Sequence, residues 1–279
     1  MNWEQVDVGW GRRAPEAAYL FENMHWREYH HILDQTGVTR GTRHLDIACG
    51  SGLAIQLASE RGAIVSGLDA SKRLVAIAKA RTPEADIRIG DMFHLPFEDH
   101  SFDVVTSCRG IWGNCLEALR EAQRVVRPGG KIGLSFWGHQ KKMQAYPLFA
   151  VLGQTSQEER KNTTSIVSIG LPGVAERLMT DAGLDVGTRT NLKLHWEFPD
   201  AEHAARTLAS IGPAYLAIKH LGLDAFMEAV RQAATSLYVE GVGIRTEVEV
   251  QFLVGVVPTG IRCPQITFEP HVQHLVGVE

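Results

Sequence analysis

The chemistry-bearing residues of this chain concentrate in one short stretch, Asp46-Ile47-Ala48-Cys49-Gly50-Ser51-Gly52. Small residues there let the backbone approach a ligand closely, and the stretch opens a helical pattern whose first N–H groups lack partners within the helix. A nucleotide-like ligand suits that arrangement, although a tight strand-to-helix turn also calls for glycine on backbone grounds alone. Asp69 ends the next apolar run, seventeen positions after Gly52. An acidic residue at that place in a βαβ unit accepts hydrogen bonds from ribose hydroxyls.

Dinucleotide-binding proteins share both features, and three others argue against a dinucleotide. The third glycine of G-x-G-x-x-G is replaced by Ile55, counted from Gly52. Asp46, just before the loop, would set a carboxylate beside a pyrophosphate, whereas a cationic ligand group would be attracted to it. Gly90-Asp91-Met92 closes a third run, offering an acceptor for an adenine amino group and a polarizable side chain against the ring.

These residues need a scaffold, and the flanking pattern supplies one. HLDIACGSG reads as strand and loop, LAIQLASERG as a helix ending at Gly62, AIVSGLDAS as a strand, and KRLVAIAKART as a helix stopped by Pro83. IRIGDM and FDVVTSC follow as strands, NCLEALREAQRVV as a helix closed by RPGG, and KIGLSFWG as the fifth strand. Alternation at this spacing predicts an α/β fold, a doubly wound and mostly parallel sheet with helices on both faces. Helical periodicity from Pro15 to about Gln35 precedes it. After Gly138 come a helix near Pro172–Ala182, a strand-like run DVGTRTNLKLHWEF, helices built around AEHAARTLASI and LDAFMEAVRQAATSLY, and a long strand TEVEVQFLVGVV. The expected layout is an N-terminal helical segment over 1–40 and a core over 41–198 and 244–258. A helical cap over 199–243 and a tail over 259–279 complete it.

With 44% hydrophobic and 22% charged residues the chain has the composition of a folded globular protein. A net charge of -4 argues against a nucleic-acid partner, which clustered Lys and Arg would attract. Cys49, Cys108, Cys115 and Cys263 contain no C-x-x-C pair and read as reduced thiols, with no metal site. No run approaches the ~20 apolar residues that span a bilayer, and MNWEQVDVGWGRR lacks a signal-peptide core, so no membrane association and a cytoplasmic location are expected.

LDIACGSG, LDAS, GDM followed by LPFEDHSFDVV, and RPGGKI resemble, in order and spacing, the motifs of class I methyltransferases. The resemblance is to the branch of the ubiquinone and menaquinone C-methyltransferases, and it covers about His44 to Gly138. GLAIQLA, DMFHLPF, and GIWGN followed by SFWG look like actinobacterial methyltransferases of antibiotic and of terpenoid or alkaloid biosynthesis. The resemblance implies a Rossmann-like seven-stranded sheet and S-adenosylmethionine as cofactor, released as S-adenosylhomocysteine. It places Asp46, Ala48, Gly50 and Gly52 at the methionine end, Asp69 at the ribose, Ala70 and Met92 against the adenine, and Asp91 at its edge. Ala48 departs from the family's usual glycine. Arg109 is expected near the transferred methyl group, paired with the cofactor carboxylate or an anionic substrate. Asp103 is expected to be structural.

Methyl transfer from a sulfonium is an in-line displacement, so aligning the acceptor and excluding water matter most. Trp10, Tyr19, Trp26, Trp112, Trp137 and Trp196 flank the expected pocket, and His25, His139 and Tyr19 are the candidates for handling an acceptor proton. The expected substrate is a small organic molecule of secondary metabolism, methylated on O, N or C, with a homo-oligomer left open. The alternatives are a cofactor-binding protein that does not methylate, for example a cyclase, and an NAD-dependent oxidoreductase.

Overall fold

The computed structural model describes residues 6–156 and 168–260. The expected tail lies outside them from residue 261 onward, as does Cys263.

Parallel strands β1 (Arg43–Ile47), β2 (Ile64–Asp69), β3 (Asp86–Ile89), β4 (Phe102–Cys108) and β5 (Val126–Trp137) lie in the order β3-β2-β1-β4-β5. Helices α1 (Trp26–Thr36), α2 (Leu53–Glu60) and α3 (Lys72–Arg81) bury Ile32, Leu33, Ile55, Ala58, Val75 and Ala78 in one core. Helix α4 (Leu116–Val125) and, later in the chain, Val174–Asp181 bury Leu119, Ala122, Val125, Leu178 and Met179 in the other. Helices thus cover both faces, as the alternation requires. β1 divides its side chains accordingly: Leu45 and Ile47 enter the α4 core, and Asp46 points the other way into the α1–α3 layer.

RPGG behaves differently from expectation. β5 begins at Val126, and the register jumps between Phe102↔Val126 and Val104↔Lys131, so this segment bulges within the strand instead of separating helix from strand. Asp103 takes the structural role expected of it: it accepts hydrogen bonds from the Arg43 backbone and guanidinium and from Arg127. Those partners hold its carboxyl well below the usual range.

The carboxyl-terminal half completes the sheet in a way periodicity does not reveal. The run after Ala182 divides at Gly187 into β6 (Asp185–Val186) and β7 (Thr190–Phe198), with helices α5 (Tyr146–Leu152) and α6 (Val174–Asp181) before it. Both strands pair antiparallel with the same edge of β9 (Gly243–Val256), whose other edge pairs antiparallel with β5. A two-residue strand β8 (Tyr238–Val239) also joins β9, so among the described residues the expected seven-stranded sheet contains nine strand segments.

β9 is longer than the strand it lies on. Val250–Val256 pair with β5, whereas Gly243–Glu249 run past Trp137, the carboxyl end of β5, with Lys193–Phe198 of β7 on the far side and β8 beside Gly243 and Ile244. This two-stranded arm carries three helices, α7 (Ala201–Ser210), α8 (Gly212–Leu221) and α9 (Leu223–Thr235), above the carboxyl ends of the parallel strands. α9 rests on α5 and α7. The expected N-terminal helix is continuous but irregular, with π geometry over Ala17–Phe21 and 3-10 geometry over Glu22–His25 before α1. It is tied to the helices on the arm by an Arg12 bond to the Ala209 carbonyl and by Glu16 with Arg206.

Candidate active site

The ends of β1, β2, β3 and β4 converge beneath that helical layer, which is where open α/β sheets bind ligands. Asp46, opposite Thr106 in the β1–β4 register, is buried and accepts a 2.6 Å hydrogen bond from the Thr106 hydroxyl. Burial pushes its pKa up to about 7, opposed by the Thr106 bond and reinforced by Glu22, Asp69 and Glu28. Asp69 accepts from the Gly50 N–H at 2.8 Å and the Ser71 N–H at 2.7 Å, tying the loop to the start of α3. Burial raises it to about 6. The charged groups that bear most on this carboxylate pair are therefore acidic, and the site suits a cation and hydroxyl donors far better than a pyrophosphate.

The loop itself is tightly specified. Gly52 precedes α2 with φ +83°, and a Cβ there would lie 2.7 Å from the Ala78 Cβ, so α2 and α3 approach too closely for any side chain. Ala48 adopts φ +56°, a left-handed conformation uncommon for alanine, and its methyl group occupies space that a Cβ on Gly110 would need. The substitution for glycine is thus accommodated by a glycine across the site. Ala70 is half-buried next to Asp69. Asp91 accepts from the Phe93 N–H at 3.0 Å, just beyond β3, and Met92 packs on the α4 core. β3 pairs with β2 through Asp69↔Ile89, so Asp69 and Asp91 belong to neighbouring strand ends.

Arg109 departs from expectation. Instead of facing a ligand carboxylate, its guanidinium is committed to Glu28 Oε1 at 3.1 Å and the Tyr29 hydroxyl at 3.0 Å, between the rings of Phe21 and Trp137. Glu28 is wholly buried, its Oε1 also accepts from Ser135 at 2.5 Å, and its Oε2 has no hydrogen-bond partner among the described residues. Burial raises its pKa despite Arg109.

The proton-handling candidates fare unequally. His25 is buried with Nδ1 3.0 Å from the Phe21 carbonyl and Nε2 accepting from Trp196 Nε1 at 3.2 Å. Both ring nitrogens are used, and burial with Arg109 nearby holds the imidazole neutral, so no lone pair is free to take a proton. His139 is exposed after β5, and Tyr19 is exposed with the Arg81 guanidinium over its ring. Among the aromatic candidates Trp196 is fully buried, and Trp137 joins it with Phe21, Phe149 and His25 in one edge-to-face cluster. Trp26 is exposed, Trp10 packs against Gly212, and Trp112 donates to the Arg109 carbonyl.

Sequence reasoning missed Glu22, Glu28, His44 and Thr106. Glu22 binds Ser51 and Arg81 beside the loop. A signal for Glu28 was present: Phe21, His25, Glu28, Tyr29, Ile32, Leu33 and Thr36 form the buried face of the N-terminal winding, and Glu28 is its acidic member.

The raised Asp46 pKa has a measurable consequence in the unliganded protein. Between ~4, the unfolded value, and about 7 the folded state holds a proton that the unfolded state has lost, so this group's contribution to stability falls as pH rises. Asp46→Asn is expected to gain stability relative to wild type across that window, by up to ~1.4 kcal/mol per pH unit, and to stay level above it. Urea unfolding of both proteins at intervals from pH 5 to 8 measures this. Parallel stability curves would show that Asp46 ionises in the fold as it does in water.

Comparison with known proteins agrees with this arrangement. Residues 45–134 match the pattern of a methyltransferase domain. A demethylmenaquinone methyltransferase of Renibacterium salmoninarum is 28% identical over 215 residues, covering 76% of this chain and 83% of that protein. Phosphoethanolamine N-methyltransferase 2 of Haemonchus contortus, solved with phosphomonomethylethanolamine and S-adenosylhomocysteine, is similar in fold. Its TM-score is 0.57 at 20% identity, over 92% of this chain and 60% of that one. The [4+2]-cyclase SpnF shares the fold equally, with TM-score 0.55 at 18% identity over 84% and 82% of the two chains. Among the described residues no helix is long and apolar enough to cross a membrane.

Proposed function

We propose that this chain is a class I S-adenosylmethionine-dependent methyltransferase and that it methylates a small organic acceptor held between the sheet's carboxyl edge and its helical cover. The observation that carries this reading is the pair of buried carboxylates, Asp46 and Asp69, at adjacent strand ends, each with a raised pKa. A ligand bringing an ammonium, a sulfonium and ribose hydroxyls supplies what they lack.

In this reading Asp46 and the loop Ala48, Gly50 and Gly52 receive the methionine end, and Asp69 receives the ribose. Ala70 and Met92 flank the adenine, with Asp91 at its edge. The cofactor, when bound, supplies an electrophilic methyl group whose C–S electron pair stays on sulfur. Arg109, held by Glu28 and Tyr29, frames the acceptor side without reaching for the cofactor carboxylate. The N-terminal turns and α7–α9 exclude water from the reaction.

The acceptor favoured here is a flat aromatic or quinol-like ring, because Phe21, Trp137, Phe149 and Trp196 cluster at the base of the cover. Its methylated atom is oxygen or carbon, and secondary metabolism is the setting we favour for it. The relative from R. salmoninarum is named for demethylmenaquinone. Incubation with methyl-labelled S-adenosylmethionine, demethylmenaquinone and a panel of phenols, quinols and amines is expected to give acceptor-dependent label transfer matched by S-adenosylhomocysteine release. Cofactor binding without transfer to any member would overturn the methylating reading in favour of a non-methylating one.

Asp69→Ala is expected to weaken S-adenosylmethionine binding by ~1–3 kcal/mol, the cost of leaving the ribose hydroxyls without a charged acceptor. The fold should survive, since Asp69 ties loop to helix through only two backbone N–H groups. Unchanged affinity by calorimetry in a folded variant would remove Asp69 from the site.

A further inference from the structure

Behind Asp46 lies a polar chain that the reaction as described does not use. His44 and Thr106 are fully buried, on β1 and β4. His44 Nε2 is 2.8 Å from Thr106 Oγ1, and Thr106 Oγ1 donates to Asp46 Oδ1 at 2.6 Å. His44 Nδ1 is buried with no hydrogen-bond partner among the described residues.

We propose that His44 and Thr106 are positioning residues, a two-bond relay whose polarity holds Asp46 in its carboxylate form and aims it at the cofactor's cationic end. A hydroxyl has one proton. If Thr106 gives it to Asp46, the Thr106 oxygen must accept from His44, so the imidazole carries its proton on Nε2 and leaves a bare lone pair on Nδ1. A proton added to Asp46 at Oδ1, the oxygen that faces Thr106, reverses the chain: the Asp46 O–H donates to Thr106, Thr106 donates to His44 Nε2, and the imidazole's single proton relocates to Nδ1. That N–H would then be buried without an acceptor, a costlier arrangement than an unused lone pair. The orphaned Nδ1 therefore favours the direction in which Asp46 is charged.

The relay opposes its surroundings. Asp46 faces Glu22 from the N-terminal turns, Glu28 from α1, Asp69 from β2 and the thiols of Cys49 and Cys108, while burial also disfavours its charge. The neutral imidazole is secured by its own burial, which pushes its pKa down to about 3.

The inference rests on the reading that Asp46 meets S-adenosylmethionine, and its test has one arm that does not. In ¹⁵N-labelled unliganded protein, His44 is expected to show the Nε2–H tautomer at pH 8 and to switch to Nδ1–H as Asp46 protonates. An Nδ1–H tautomer at pH 8 would overturn the relay even if the cofactor binds. In calorimetry on the full chain, Thr106→Val is expected to bind S-adenosylmethionine about tenfold more weakly at pH 7. Most of that loss should be recovered at pH 9, where Asp46 ionises without help. Thr106→Ser should restore the wild-type pH profile, and His44→Phe should shift it in the same direction as Thr106→Val by less. A loss in Thr106→Val that is equal at pH 7 and pH 9 would mark a packing role alone and overturn the proposal, as would unchanged binding.

Discussion

Arg109→Leu is expected to lower folding stability by about 3–5 kcal/mol at pH 8, the cost of removing one partner from a buried ion pair. Glu28 would be left fully buried with Ser135 as its remaining hydrogen-bond donor, and the Tyr29 hydroxyl would lose its contact with the guanidinium. Because burial already raises the Glu28 pKa, the lone carboxyl can escape by binding a proton, so the loss should be smaller at pH 5 than at pH 8. Arg109→Leu combined with Glu28→Leu should recover much of the stability, since both charges then leave the interior together. Urea denaturation at the two pH values measures all three quantities. A loss below about 1 kcal/mol at pH 8 would mean that solvent reaches the pair and that it does not hold α1 to the end of β4.

Trp196→Ala should cost a similar amount, about 3–5 kcal/mol, for a different reason. This indole is fully buried against Phe21, His25, Trp137 and Phe149, and its N–H is the donor to His25 Nε2. Truncation opens a cavity and leaves the His25 lone pair unsatisfied, on the side where β7 meets the N-terminal turns. Trp196→Phe keeps most of the ring and should lose only about 1–2 kcal/mol for the missing hydrogen bond. Hydrogen exchange should quicken across Ala17–Tyr29 in the alanine variant, since Phe21 and His25 pack that segment onto β7. Unaltered exchange there would detach the N-terminal segment from the aromatic cluster and remove the cluster from the base of the cover.

The parts of the fold that were legible in the sequence are those whose signals are local. β1 to β5 read out because short apolar runs end at punctuation: the loop Ala48–Gly52 after β1, Pro83 after α3, Gly90 after β3. Asp46 and Asp69 read out because their place at strand ends is fixed by the βαβ spacing. What remained hidden depends on direction or on distant partners. Periodicity identifies a long strand in TEVEVQFLVGVV, residues 246–257, but carries no sign for its antiparallel insertion beside β5. Nor does it show that the strand overshoots its neighbour to carry α7–α9. The π and 3-10 turns of Ala17–His25 leave the helical pattern almost unchanged, and so escaped notice.

The site shows the same division. Arg109 was correctly placed at the end of β4, but its partner Glu28 is 81 residues away in sequence and belongs to a helix whose docking no local pattern announces. His25 drew attention as a histidine near the pocket, yet the Trp196 N–H that occupies its Nε2 comes from 171 residues away. Thr106 matters only through the β1–β4 register, which pairs it with Asp46. Ala48 departs from the family's usual glycine, and its compensation is Gly110, the residue it faces and one that no local pattern links to it.

The most direct test of the account is a side-by-side calorimetric titration of the wild-type protein with S-adenosylmethionine and with NAD at pH 7.5. Asp46 and Asp69, buried without a cationic partner among the described residues, predict saturable binding of S-adenosylmethionine and no measurable heat from NAD, whose pyrophosphate would meet a carboxylate. NAD binding more tightly than S-adenosylmethionine would contradict the account at its centre.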